Sequence, residues 1–344
     1  MSRRRLFQML VAAVVTICLL VFTGTLSAQG NSEEAFERVK EVQERHTDEL
    51  MAKPGVVGTA VGLNDKGQAA VLVLLEVPGI GGIPQVLEGV PVHPVVTGKM
   101  YALNARAKGK PAPRIDPTAR FERPVPIGVS TGNANENSAG TIACRVKDSA
   151  GNVYALSNNH VYALENSAHP GDEVLQPGRY DGGVPVADHL GNLSTWVEIF
   201  FLPTASNTVD AAIAASTTSL LGNTTPANGY GIPQSEIVAA AVGMAVQKYG
   251  RTTSLTKGTI TGINSVISVG YSSGTARFVG QIIVQSRSPF IKAGDSGSLL
   301  VTNPGTNPVG LLFAGNNSGN YAVANPIDLV LSAFPDLGLA IDGQ

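Results

Sequence analysis

A serine set between glycines, Gly294-Asp295-Ser296-Gly297, lies between two apolar runs near the end of this 344-residue chain. Two further groups have types that could work with it. His160 closes the run Val153-Tyr-Ala-Leu-Ser-Asn-Asn-His160, and Asp210 lies in Val209-Asp-Ala-Ala-Ile-Ala214. In an aliphatic setting a carboxylate costs free energy unless it has a partner. A serine hydroxyl is a weak nucleophile near neutral pH. It needs a base within hydrogen-bond reach, and the base needs a third group that fixes its tautomer. His160, Asp210 and Ser296 supply these roles, in that order along the chain. Gly294 and Gly297 let the backbone turn tightly, so that the N–H groups of Gly294 and Ser296 can point at one carbonyl oxygen. Each such donor stabilises an oxyanion by roughly 3–4 kcal/mol. Each feature alone has a plainer reading: a packed histidine, a capping aspartate, and a β-turn whose residues all favour turns. Their combination and order point to nucleophilic catalysis.

A fourth segment is Gly250-Arg251-Thr252-Thr253-Ser254-Leu-Thr-Lys-Gly258-Thr-Ile260. In these four motifs, from roughly Pro126 to the C-terminus, the chain resembles the chymotrypsin-fold (trypsin-like) serine proteases. In motif style it is most similar to bacterial secreted enzymes such as alpha-lytic protease. The resemblance implies a mainly β fold of two antiparallel six-stranded β-barrels, with His160 and Asp210 in the first, Ser296 in the second and the active site between them. It implies an oxyanion hole at Gly294 and Ser296, and a structural ion pair between Arg251 and Asp295. It places the primary pocket at Ser288-Pro-Phe290-Ile291 and at the wall Phe313-Ala314-Gly315, so that Phe290, Phe313, Ala314 and Gly315 are substrate-binding residues. No carboxylate stands there to receive a basic side chain. Two departures matter. The family's wall strand often carries a serine that supports the triad aspartate, where this chain has Phe313. Its relatives also commonly have a disulfide beside the catalytic histidine. Here Asn159 and Val161 flank His160, which leaves packing to hold that loop.

Composition agrees with a turn-rich β protein: 39 Gly and 21 Pro, with only 15% charged residues. The net charge of −2 and the lack of a basic patch argue against a nucleic-acid partner. Residues 1–28 read as a signal peptide. Arg3, Arg4 and Arg5 precede the apolar stretch Leu6 to Phe22, and a cleavage region ends at Ala28. Its removal takes three Arg and no acid, so the mature charge is 21 − 26 = −5. The expectation is a secreted protein, extracellular or periplasmic, with no membrane span after cleavage; an uncleaved signal anchor is the alternative. Cys18 leaves with the signal, and Cys144 remains alone, suited to a small buried strand position. No motif with metal-ligand spacing occurs, and the chemistry proposed for Ser296 needs no cofactor.

Residues 29–103 read as a small α/β module. Residues 32–52 form an amphipathic helix with Phe36, Val39, Val42, His46 and Leu50 on one stripe, ended by Pro54-Gly55. Strands come next at Val56–Leu63 and Ala69–Val77 around the turn Asn64-Asp-Lys-Gly67, and an edge strand at Val90–Thr97, whose prolines cannot donate to a central ladder. The module carries no catalytic set. Its position fits a pro-region in intramolecular contact with the β-rich remainder of the chain. Residues 104–125 form a basic, proline-rich linker open to cleavage. Residues 126–344 carry short β runs, Thr141–Val146, Val153–Ser157, Val209–Ala214, Ile282–Gln285, Ser298–Val301 and Val309–Ala314, and a helix at Ile327–Phe334 opened by Asn325-Pro326. His169 and His189 fall in polar, turn-rich loops. The chain thus reads as a secreted serine endopeptidase acting on polypeptides. Two other readings stay open: a catalytically silent barrel that docks peptides, and a self-limited enzyme that cuts only its own linker.

Overall fold

A computed structural model describes residues 33–103 and 115–344. The expected signal segment and the linker residues 104–114 lie outside the described residues. The protein is mainly β, arranged as two sheets of eleven and eight strands.

From residue 245 the short alternating runs become six strands: Ala245–Gly250, Ser254–Gly270, Thr275–Gln285, Leu299–Thr302, Pro308–Gly315 and Tyr321–Pro326. Each is antiparallel to its neighbours. Ala245–Gly250 pairs with both Leu299–Thr302 and Ser254–Gly270, so this ribbon closes on itself. The long strand Ser254–Gly270 can serve in a closed ring because it bends. Its pairing with Thr275–Gln285 shifts register three times, and Asn264 takes a positive φ of 49°.

The eight-stranded sheet runs in the order Ala340–Ile341, Cys144–Lys147, Val153–Ser157, Ala212–Ser216, His189–Trp196, Glu173–Leu175, Ser130–Asn133, Gly140–Thr141. It therefore takes in a strand from the C-terminus rather than stopping at six. Cys144 is fully buried in its core beside Leu156 and Val146, and burial pushes its thiol pKa up, as a structural cysteine requires. His189, expected in a loop, opens a strand instead, with Nδ1 3.1 Å from Glu173 Oε1. The polar residues around it hide the pairing.

The N-terminal segment supplies one helix and five strands of the larger sheet among the described residues. Its helix, residues 33–51, packs Val39, Val42 and Leu50 onto Val56, Val71, Val73 and Leu75. His46 lies beside that stripe and meets Glu88, whose carboxyl is lowered to about 2 by hydrogen bonds from Arg45 first and His46 second. The strands, however, extend the barrel sheet. Val56–Leu63 pairs with Ala69–Leu75 on one side and with Ser254–Gly270 on the other. Its first seven residues are all buried, because the helix covers one face and the barrel the other. Val90–Val96 runs parallel to Ala69–Leu75, with the two-residue strand Val86–Leu87 paired on its far side. The last strand, Met100–Ala102, leaves this group altogether. It lies parallel to the end of Ser254–Gly270 and antiparallel to the end of Pro308–Gly315.

Candidate active site

Strand Val153–Ser157 leads through the extended Asn158 into a one-turn helix, Asn159–Tyr162, whose four residues are all buried. Asp210 stands just before the neighbouring antiparallel strand, where Ala212 faces Ser157. The two side chains therefore meet across adjacent strand ends. His160 Nδ1 lies 2.5 Å from Asp210 Oδ2, and the His160 backbone N–H donates to Asp210 Oδ1 at 3.2 Å. Both side chains are fully buried. The loop is fixed without a disulfide: Asn158 Nδ2 donates to the Asp210 carbonyl at 2.7 Å, and the Asp210 N–H donates to Asn325 Oδ1 at 3.1 Å.

Asp210 has a further donor that sequence reasoning misses. The Tyr271 hydroxyl gives its proton to Asp210 Oδ2 at 2.9 Å. Burial, reinforced by the Asp210 charge, raises the Tyr271 pKa well above 10, so the group stays a donor. It supports the aspartate from just beyond the end of Ser254–Gly270, so the side chain at 313 is released from that task. Tyr271 sets its ring edge-on to His160 at 5.8 Å and stacks on Phe278 at 6.2 Å. Phe278 in turn lies 4.7 Å from Phe313. An aromatic row thus spans from the histidine to the wall strand.

Ser296 sits in a turn bounded by Gly294 at φ 96° and Gly297 at φ 91°. Gly297 has a second reason to be glycine. A Cβ there would lie 2.2 Å from the Thr141 carbonyl oxygen and 2.4 Å from Ser157 Oγ. This close approach docks the serine turn on the other sheet. Thr141 N–H donates to the Ser296 carbonyl at 2.8 Å, and Thr141 Oγ1 donates to the Gly294 carbonyl at 2.8 Å. Gly140 touches both sides: a Cβ there would meet Val161 Cγ2 at 2.5 Å and the Ser296 carbonyl oxygen at 3.0 Å. The Ser296 hydroxyl donates to the Phe313 carbonyl at 2.9 Å and accepts the Leu103 N–H at 3.2 Å. The Gly294 N–H donates to the Leu103 carbonyl at 2.6 Å. One of the two expected oxyanion donors therefore already holds a backbone carbonyl beside the serine.

The expected Arg251–Asp295 pair is corrected. The Arg251 guanidinium is bidentate on Asp181, with Nε at 2.5 Å from Oδ2, and lies over the Tyr180 ring. The cation facing Asp295 is Lys248, whose Nζ is 3.5 Å from Oδ1, with both side chains fully buried. The Gly-Arg-Thr-Thr stretch still clamps Asp295, but through its backbone. Thr252 N–H at 2.8 Å, Thr253 N–H at 3.1 Å and Thr253 Oγ1 at 2.7 Å all donate to that carboxylate, as does Lys292 N–H at 2.9 Å. Gly250 makes room for it, since a Cβ there would come within 2.5 Å of Asp295 Oδ1. With the loop backbone wrapped around the carboxylate, the Arg251 side chain points away and Lys248, on the preceding strand, fills the charge position.

The four residues expected to bind substrate divide by atom type. Phe313 is buried against Phe278, so its carbonyl rather than its ring meets Ser296. Ala314 and Gly315 present backbone, paired with Ala102 and Tyr101. Phe290 is buried with Ile291 in a cluster against which Leu103 packs.

No protein-family model matches the chain, and no curated protein matches it. Among solved structures it is similar to a glutamic acid-specific serine protease: 21% identity, TM-score 0.45, 63% of this chain and 100% of that one. It is similar to Protease A of Thermobifida fusca at 20% identity and TM-score 0.45, over 64% of this chain and 99% of that one. A Nocardiopsis protease is similar at 19% identity and TM-score 0.44, over 63% and 98%.

Proposed function

We propose that this protein is a secreted serine endopeptidase that hydrolyses polypeptides through an acyl-enzyme on Ser296. The observation that supports it most strongly is the His160–Asp210 pair: 2.5 Å long, wholly buried, and carried on the elements against which the Ser296 turn docks. The Asp210 carboxylate accepts from the His160 ring, the His160 backbone and Tyr271, which holds the proton on Nδ1 and turns Nε2 to the serine proton.

The reaction then proceeds from the groups present. The Ser296 hydroxyl leaves the Phe313 carbonyl and passes its proton to His160 Nε2 as Oγ attacks the substrate carbonyl carbon. Asp210 stabilises the resulting imidazolium. The oxyanion receives the N–H groups of Gly294 and Ser296. His160 returns the proton to the departing amine, and water hydrolyses the ester by the same steps. The Asp295 clamp keeps the Gly294–Ser296 backbone in place before substrate arrives, which is what makes such donors effective.

Turnover of a mixed set of peptide anilides tests the reading. Wild-type protein should release the amine, and Ser296→Ala, His160→Ala and Asp210→Asn should each lose at least about 10³-fold in kcat/KM. Equal activity in wild type and Ser296→Ala would remove the proposal and leave a peptide-docking barrel.

A further inference from the structure

Resting on that endopeptidase reading, we infer that Glu165, in the loop that follows His160, is a positioning residue for the triad: its carboxylate holds the hairpin tip that carries Tyr271 against Asp210. The tip is Tyr271-Ser272-Ser273-Gly274, the turn between strands Ser254–Gly270 and Thr275–Gln285. Glu165 Oε1 accepts the Ser272 hydroxyl at 2.6 Å and the Ser272 N–H at 3.2 Å, and Oε2 accepts the Ser273 N–H at 2.7 Å. Both serines are exposed, so the carboxylate rather than packing holds this turn. Burial pushes the Glu165 pKa up, but the Ser272 and Ser273 donors outweigh it and bring it below its ordinary value, so the group is charged at neutral pH.

The backbone that delivers Glu165 is strained. Leu164, Glu165 and Asn166 take positive φ in succession, at 53°, 55° and 73°. Residues with a side chain enter this region singly and at a cost, so a run of three needs outside support. Asn159 and Asn166 supply it at the base of the turn. Asn159 Nδ2 donates to Asn166 Oδ1 at 2.7 Å, and the Asn166 N–H donates to Asn159 Oδ1 at 3.1 Å. The Asn166 amide also bonds the Ile199 backbone, with Nδ2 donating to its carbonyl at 2.8 Å and Oδ1 accepting its N–H at 3.0 Å. Asn159 is buried and stands next to His160. The strained turn is thus anchored at the histidine, and it aims Glu165 at the other sheet.

The contacts close a circuit. His160 Nδ1 meets Asp210 Oδ2, and the same oxygen takes the Tyr271 hydroxyl. The two residues after Tyr271 donate to Glu165, which stands five residues after His160. Sliding one sheet against the other here would break the Glu165 bonds as well as the bond from Tyr271 to Asp210. Glu165 also acts on the hydroxyl through its charge. After burial and the Asp210 carboxylate, it is a further cause that raises the Tyr271 pKa and keeps that group a donor. No atom of the reaction passes through Glu165. It acts by keeping Asp210, through Tyr271, aligned on the imidazole.

The test uses the full chain as secreted by a bacterial host. Turnover of peptide anilides and labelling of Ser296 by a fluorophosphonate are compared in wild type, Glu165→Ala, Tyr271→Phe and the double variant. Glu165→Ala should lower kcat about fivefold with KM unchanged within about twofold, because the donor to Asp210 is loosened while the substrate cleft is untouched. In the Tyr271→Phe background the same change should cost less than about twofold, since the hydroxyl that it positions is gone. Glu165→Gln has the same shape but turns an amino group toward one of the tip donors. It should lose about threefold, again only when Tyr271 is present, and it carries the test if Glu165→Ala does not fold. Wild-type rates in these variants, a loss confined to KM, or a loss that persists in full with Tyr271→Phe, overturns this inference and leaves the endopeptidase reading intact. A wild-type chain that neither turns over nor labels overturns that reading, and this inference with it.

Discussion

Replacing Lys248 by Met should destabilise the protein strongly, and replacing Asp295 at the same time should restore most of the loss. The pair is fully buried with Nζ and Oδ1 3.5 Å apart. At an effective dielectric of about 20, two unit charges at that separation attract by about 5 kcal/mol. Burial still lowers the Lys248 pKa below its ordinary value, so desolvation outweighs the attraction and the intact pair adds little net stability. The cost falls on a single deletion. Lys248→Met strands Asp295, and the typical penalty is about 3–5 kcal/mol. The four donors left on the carboxylate place this case near 3. In Lys248→Met/Asp295→Asn no charge is stranded, and the loss should shrink to about 1 kcal/mol. Urea unfolding in a Ser296→Ala background, which prevents self-digestion, measures the cycle. Asp295→Asn strands Lys248 in turn, at about 3 kcal/mol, so the two should couple by about 5 kcal/mol, the sum of the two single losses less that of the double variant. Arg251 and Asp295 should couple by less than about 0.5, because Arg251 spends its guanidinium on Asp181. Coupling of Arg251 rather than Lys248 to Asp295 would refute the assignment.

Tyr271→Phe removes a donor to the Asp210 carboxylate, worth about 1.5 kcal/mol for a bond to a charged group, and should lower kcat/KM about tenfold. Because folding holds the Tyr271 pKa above 10.0, its contribution is complete below pH 10 and is lost as the pH rises from there toward the folded value. The urea midpoint of wild type should therefore fall above pH 10 by more than that of Tyr271→Phe. Gly297→Ala combines a φ of 91° with a 2.2 Å approach to the Thr141 carbonyl, so it should cost at least about 3 kcal/mol and abolish turnover, read by thermal unfolding and peptide hydrolysis.

The chemistry is more legible in the sequence than its supports. His160 and Asp210 can be read because an ionisable group in an aliphatic run has few explanations, and the Gly-Asp-Ser-Gly turn because two glycines around a serine ask for a special backbone. Arg251 misleads: a motif fixes which residues approach each other, but not whether a backbone amide or a side chain makes the bond. Lys248 is easily overlooked although it lies in the strand just before that motif, where a lysine between Val246 and Tyr249 needs a buried partner. Tyr271 gives no local signal. It ends an unremarkable apolar run, and only the turn after Gly270 brings it to Asp210. The N-terminal strands are readable one by one, with Val56–Leu63 placed as expected. That they extend the barrel sheet is not, since register across 200 residues leaves no mark on local pattern. That Leu103 reaches Ser296 is hidden for the same reason.

Fluorophosphonate labelling, with the modified residue mapped by peptide mass, tests the central claim without assuming a substrate. The account predicts one adduct per chain, on Ser296, lost in Ser296→Ala and slowed at least about 10³-fold in Asp210→Asn, where the histidine tautomer is no longer held. An unlabelled wild-type chain, or labelling that is indifferent to Asp210, would contradict it.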